Sequence, residues 1–399
     1  MRTLILLLCC CANLLAAAPL QTAQLLAAGQ EPVRIVCIGD SITGVYYHSG
    51  GRRAYPEMLQ LALKQLYPQA QITVRNAGIS GDTTTGGLKR LETDVLAHKP
   101  QLVTIMFGMN DLVKTPVDVF KKNLHEMIAR CRTSGAEVVL CTQNSVVETE
   151  PRPSARLAEF TQSIRDVAKE ESLVVADCFA AFEAVHAADA SEWNLLLSDA
   201  IHPNMAGHKL FAETLTQAIT GKTTSLREIG PPMPVLPHTL ARIQAAQPVR
   251  VLAMPPYDEV IKPALQELFP GVEVKVTPWP VAGQTLAQIE VAARKVRSMA
   301  QDLVIIAVPA DLPLQDQQQF HHDYSWIMNW SLSFGPQQWD VVVALPSNAK
   351  PTLSQEEQRH EAFALRLIKA QDLSMITRRA GDPSLLFKSL STWLAKNHP

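Results

Sequence analysis

From residue 33 onward the chain alternates two hydrophobic patterns. Val33 to Ile38, Ile72 to Val74, Leu102 to Phe107, Val138 to Cys141 and Leu173 to Ala176 are short, nearly unbroken apolar runs, as expected of strands covered on both faces in a parallel sheet. Between them, Tyr55 to Tyr67, Leu88 to Leu96, Val117 to Arg132 and Ser154 to Glu171 carry apolar residues at helical spacing. This alternation predicts an α/β layered sheet for the first half. The rhythm stops after Gly221, and the proline-rich stretch Ile229 to Pro237 marks a linker, placed over residues 223–247.

Beyond the linker the same plan returns as an internal repeat of low similarity. Val249-Arg250-Val251-Leu252 echoes Val33-Arg34-Ile35-Val36, and Leu265 to Pro270 echoes Leu63 to Pro68. Val281-Ala282-Gly283 then matches Asn76-Ala77-Gly78, Asp302 to Ile306 matches Gln101 to Ile105, and Asp340 to Val343 parallels Glu137 to Leu140. The order is kept, so residues 248–399 are expected to form a second α/β domain of the same plan. Its polar positions differ. Pro255-Pro256-Tyr257 stands where the first half has Gly39-Asp40-Ser41, Val308-Pro309-Ala310-Asp311 replaces Gly108-Met109-Asn110-Asp111, and Gly381-Asp382-Pro383 near the end brings no histidine. The second domain therefore reads as a degenerate twin that packs, binds or orients.

Composition fits a globular enzyme. Of 399 residues, 36 are basic and 38 acidic, which leaves no electrostatic footprint for nucleic acid and predicts neutral partners. Met1-Arg2-Thr3 precedes an apolar stretch, Leu4 to Ala18, too short to span a bilayer and ending in three alanines. Residues 1–30 are read as a signal peptide and leader, and the protein is expected to be exported with no stable membrane span. Cys37, Cys131, Cys141 and Cys178 would then meet an oxidising compartment, where an even count allows a disulfide, but three of the four lie in or beside apolar strand-like runs and none shows C-x-x-C spacing, so neither a disulfide nor a metal is indicated.

The chemistry lies in residues 31–222. Gly39-Asp40-Ser41 follows the first apolar run directly, which puts a serine on the turn leaving a buried strand. A hydroxyl needs a base to become a nucleophile, and His202 is the best candidate, with Asp199 three residues earlier to fix the imidazole tautomer and stabilise its charged form. A tetrahedral intermediate also needs donors for its oxyanion; losing one costs roughly 2.7–4 kcal/mol. The Ser41 and Gly78 backbone N–H groups and the Asn110 side-chain amide are the predicted donors, gathered where strands of an open α/β sheet end.

These fragments resemble the four blocks of the SGNH/GDSL hydrolase family: Gly39-Asp40-Ser41-Ile42-Thr43, Asn76-Ala77-Gly78, Gly108-Met109-Asn110-Asp111 and Asp199-Ala200-Ile201-His202-Pro203. The resemblance covers about residues 33 to 220. It implies a three-layer α/β/α flavodoxin-like fold, no metal or organic cofactor, and hydrolysis of acyl esters, often acetyl groups on carbohydrates. A small-molecule or glycan acyl ester is the expected substrate. A lysophospholipase or lipase activity is the alternative, and a non-enzymatic glycan-binding protein a further one.

Other residues carry weaker signals. His48 and His208 either line the cleft or face solvent. His321-His322-Asp323 has no third ligand at a metal-binding spacing. Tyr46, Tyr47, Arg52 and Arg53 lie in a segment missing from the repeat and are candidates for substrate contact or plain surface. Trp326, Trp330 and Trp339 suit core packing better than sugar stacking.

Overall fold

Val33–Gly39 forms strand β1, buried along its length except at Arg34. It lies between β2 (Ile72–Gly78) and β3 (Leu102–Met106), with β4 (Glu137–Cys141) and β5 (Val174–Ala176) beyond β3, all parallel. The strand order 2-1-3-4-5 is the flavodoxin-like one. The computed structural model describes residues 20–46, 49–312, 316–350, 352–378 and 384–397. The apolar run expected to be a signal peptide, Tyr47, His48 and Gly381 to Pro383 lie outside them.

Helices α1 (Gln21–Ala28), α2 (Tyr55–Leu66), α3 (Thr84–Asp94), α4 (Asp111–Lys114), α5 (Val117–Thr133), α6 (Ser154–Glu170), α7 (Cys178–Ala188), α8 (Ala190–Asn194) and α9 (Met205–Thr220) surround this sheet. Helices α1, α2 and α9 pack together on one face, and α3, α5 and α6 on the other, giving the expected three layers. The start of α3 precedes the expected Leu88 by one turn. Its Gly86-Gly87 pair hides the periodicity, yet the Thr84 N–H is capped at 3.0 Å by the Asp111 carboxylate. A side chain at Gly87 would fall 2.6 Å from the Phe107 ring, so glycine brings α3 tight against the end of β3.

The second half repeats this arrangement. Strands β6 (Val249–Ala253), β7 (Val274–Pro278), β8 (Leu303–Ile306), β9 (Asp340–Ala344) and β10 (Ser374–Ile376) are parallel in the order 7-6-8-9-10. Helices α10 (Pro237–Gln244), α11 (Tyr257–Leu268), α12 (Leu286–Ala293), α13 (Gln317–Ser331), α14 (Pro346–Ala349), α15 (Gln355–Ala370) and α16 (Leu386–Asn397) flank them. Even the register is copied. Ile35 pairs with Leu102 as Val251 pairs with Leu303, and Leu102 with Glu137 as Leu303 with Asp340.

Polar details recur as well. The Arg34 N–H donates to the Gln101 side chain at 2.7 Å, and the Arg250 N–H to Asp302 at 2.8 Å. At the start of α1 the Thr22 N–H donates to Glu137 at 2.7 Å, and at the start of α10 the Thr239 N–H donates to Asp340 at 2.7 Å. Helix α1 thus belongs to the first core through Leu26, although residues 1–30 were expected to be leader, and α10 belongs to the second, although residues 223–247 were expected to be linker. Neither helix is long enough for sequence periodicity to outweigh flanking prolines and polar residues.

Each half has its own hydrophobic core. Cys37, Cys131, Cys141 and Cys178 are free thiols buried in the first. Trp339 is buried in the second with its indole N–H on the Ser331 carbonyl, while Trp326 and Trp330 stack half-buried along α13. Asp340 is fully buried and also receives the Gln337 side-chain amide. Asp340→Ala would leave the Thr239 N–H unpaired and is expected to destabilise the second half by about 1–3 kcal/mol, read as a lower urea midpoint, with a smaller effect for Glu137→Ala at the more exposed counterpart.

Candidate active site

Gly39 pairs with Gly78 on one side and Met106 on the other, so the turns after β1, β2 and β3 leave the sheet at one level. Arg90 holds this edge, donating to the carbonyls of Gly39 (2.9 Å) and Ala77 (2.6 Å) and pairing with Asp82 at 2.8 Å. After Gly39 the chain closes at once: the Asp40 carbonyl accepts from Gly44 N–H at 3.0 Å, and its carboxylate accepts from Ile42 N–H at 2.9 Å. Ser41 stands at the head of this turn, partly exposed.

His202 comes to it from 161 residues away, with Nε2 3.1 Å from the Ser41 Oγ. Its Nδ1 lies 2.8 Å from Asp199 Oδ2, while Asp199 Oδ1 accepts the N–H groups of Ile201 (2.8 Å) and His202 (2.7 Å). With the proton on Nδ1 donated to the carboxylate, Nε2 presents its lone pair to the serine hydroxyl. Asn144 donates to the Ile201 carbonyl at 3.0 Å and Val147 to the Ala200 carbonyl at 2.9 Å, so the loop after β4 braces the histidine loop.

The predicted oxyanion donors differ in state. The Ser41 N–H makes no hydrogen bond to another described residue. The Gly78 N–H donates to the Asn76 Oδ1 at 3.0 Å, and the Asn110 amide donates to the Asp82 carbonyl at 3.0 Å and to Asp40 Oδ2 at 3.3 Å. The last two donors are thus held by the protein itself. Gly78 is required for an additional reason: a side chain there would fall 2.2 Å from the Gly44 backbone nitrogen, so the close approach is that of the Thr43-Gly44 turn.

Several neighbours were missed from sequence. Asp111 anchors the turn after β3 by accepting from both the N–H and the hydroxyl of Thr84, and Asn76 ties β2 to the Thr43 carbonyl at 2.8 Å. Both stand inside the motif blocks, so block membership was the available signal. Arg152, on the loop before α6, reaches the Met109 carbonyl at 3.2 Å, and no motif marks it. His208, expected in the cleft or solvent, is instead buried, and its Nδ1 accepts the Tyr55 N–H at 3.2 Å to cap α2. No three-residue cluster of His, Cys, Asp or Glu suited to a metal occurs among the described residues; His322 pairs with Asp323 on α13.

The second half packs against this edge by the amino-terminal side of its own sheet. Gln337 and Gln371, which precede β9 and β10, bond to Gly51 and Ser198, and Asp372 pairs with Lys209 at 2.8 Å. Arg52 and Arg53 reach the linker carbonyls from Gly230 to Pro234 and so bind the chain to itself. A cavity of about 390 Å³ lies between Asp199 and Val147 on one side and Gln318 and His321 on the other. The equivalent edge of the second half, beyond β6, β8 and β9, holds a separate cavity of about 200 Å³ lined by Pro255, Tyr257 and Asp311, with no serine or histidine among its described lining residues.

The GDSL-like Lipase/Acylhydrolase family profile matches residues 37–210. An arylesterase of Vibrio mimicus is 31% identical over 49% of this chain and 92% of its own length. An acetylxylan esterase of Geobacillus stearothermophilus is 27% identical over 47% of this chain and 93% of its own. Among solved structures, an α/β hydrolase from the metagenome of Lake Arreo is 28% identical, with a TM-score of 0.42 over 48% of this chain and 97% of its own.

Burial raises the Asp40 carboxyl from 3.8 to about 7, against the lowering effect of the Ile42 N–H. The folded protein therefore holds this proton more tightly than the unfolded chain. The resulting stabilisation is complete below pH 4 or so and is lost as pH rises towards about 7. Asp40→Asn is expected to flatten that part of the curve of melting temperature against pH; an unchanged slope would assign the drop to other groups.

Proposed function

The chain belongs to the GDSL-like lipase/acylhydrolase family of carboxylic ester hydrolases, and we propose that it is an exported serine esterase that removes short acyl groups, acetyl above all, from carbohydrate esters. The observation that carries the mechanism is the continuous contact from Ser41 through His202 to Asp199. Ser41 Oγ attacks the ester carbonyl carbon as its proton passes to His202 Nε2, and Asp199 stabilises the imidazolium. The carbonyl oxygen takes up the negative charge and is met by the Ser41 N–H. The Gly78 N–H and the Asn110 amide join it by turning from Asn76 and Asp40. His202 then protonates the leaving alcohol, leaving Ser41 acylated. Water attacks this ester, again giving its proton to His202, and the acid departs with the serine restored.

The acetylxylan esterase among the relatives supports a carbohydrate alcohol, and the near-balanced charge of the chain gives no overall preference for its sign. No helix among the described residues is long and apolar enough to cross a membrane. In the second half, the absence of serine and histidine at the equivalent cavity supports a non-catalytic, packing role for residues 248–399.

Ser41→Ala is expected to lower kcat for p-nitrophenyl acetate by roughly 10⁴-fold or more, and Asn110→Ala by about 10²–10³-fold with a small change in KM. Undiminished turnover by Ser41→Ala would remove that residue from the reaction. Across a p-nitrophenyl ester series the rate should peak at the acetyl group; a maximum at eight or more carbons would favour lipase-type hydrolysis.

A further inference from the structure

Arg152 is a partly buried guanidinium whose donors are incompletely used. Its backbone is fixed by a bridge with Thr149 in the loop that precedes α6. Its Nε donates to the Met109 carbonyl at 3.2 Å and its Nη2 approaches Asn110 Oδ1 at 3.5 Å, so the cation lies against the turn that carries a proposed oxyanion donor. Nη1 has no acceptor among the described residues. The carboxylates in electrostatic range are Asp40 and Asp199. Both are engaged elsewhere, Asp40 with the Ile42 N–H and the Asn110 amide, Asp199 with His202 and two backbone N–H groups.

The other arginines nearby are committed. Arg90 is bound to Asp82 and two strand-end carbonyls, Arg156 pairs with Glu159, and Arg52 and Arg53 hold the linker. Asp40 and Asp199 offset part of the cost of withdrawing this cation from water, but neither is hydrogen-bonded to it. A guanidinium fork with free donors is also the group best shaped to receive a carboxylate. Its position beside Asn110 puts that capacity within the reach of a substrate bound at Ser41.

We propose that Arg152 binds a carboxylate carried by the substrate, so that this esterase prefers acyl esters of acidic molecules, such as an acetylated acidic sugar, over neutral ones. This rests on the serine esterase reading and narrows its substrate class; the balanced charge of the whole chain describes the surface, whereas Arg152 sets the local field at the site.

The test compares 4-acetoxybenzoate with its neutral methyl ester, and a p-nitrophenyl hemisuccinate with p-nitrophenyl butyrate, using wild type, Arg152→Gln and Arg152→Lys. Wild type should favour the charged member of at least one pair in kcat/KM. Arg152→Gln should lower that preference about tenfold or more, Arg152→Lys should keep part of it, and added salt should weaken it in wild type and Arg152→Lys but not in Arg152→Gln. Binding of 4-acetoxybenzoate or succinate to Ser41→Ala, measured by calorimetry, should disappear when Arg152→Gln is added. The proposal is overturned if wild type shows no preference in either pair, or if Arg152→Gln slows both members equally, as a residue that only holds the Met109-Asn110 turn would. Wild type inactive on all four esters would instead reject the esterase reading.

Discussion

The parallel pairing of β1 with both β2 and β3 is the constraint on which the site depends. Because Gly39 is level with Gly78 and Met106, three turns that are far apart in sequence leave the sheet side by side. A shift of register by one residue would turn every buried side chain of β1 to the opposite face, so the hydrophobic core fixes the alignment far more strongly than the polar site could. Arg90 and Asn76 then bind the carbonyls at this edge, which need partners because no strand continues there. The polar turns inherit their precision from apolar packing beneath them.

Much of this was legible in the chain. The continuous apolar runs gave four of the first five strands to within a residue, since burial on both faces leaves little room for polar residues, whereas β2, alternately exposed, runs four residues past its apolar run to Gly78. The repeat was visible because a copied core needs copied hydrophobic spacing, and Ser41, Asp199 and His202 stood out because few residue types perform that chemistry. What stayed hidden depends on contacts across the fold. Nothing in its neighbours indicates that His208 caps α2, or that Asn110 rests against Asp40. Arg152 lies between two prolines in a loop without periodicity, and only the packing of that loop on the Met109 carbonyl gives it significance. The short helices α1 and α10 were concealed by the polar or proline-rich segments around them.

The twin halves show how separately a fold and its chemistry can vary. Register, strand order and even the helix-capping carboxylates Glu137 and Asp340 are retained, because each contributes to stability in its own half. The residues after β6 and β8 differ from those after β1 and β3. The stretch between Ser41 and α2 exists only in the first half, and it includes Gly51, Arg52 and Arg53, which fasten the two halves together. The two halves are therefore joined through the loop that follows Ser41.

The four sealed cysteines bear on where and how this protein can fold. Burial pushes Cys37 and Cys131 up to about 12 and Cys141 and Cys178 well above their ordinary value, so the reactive thiolate is scarce and shielded in the native state. Once the first core has closed, these sulfurs neither form mixed disulfides nor need a reductant to keep them apart. For these four thiols, closing of the first core is thus expected to be the step that ends exposure to oxidants.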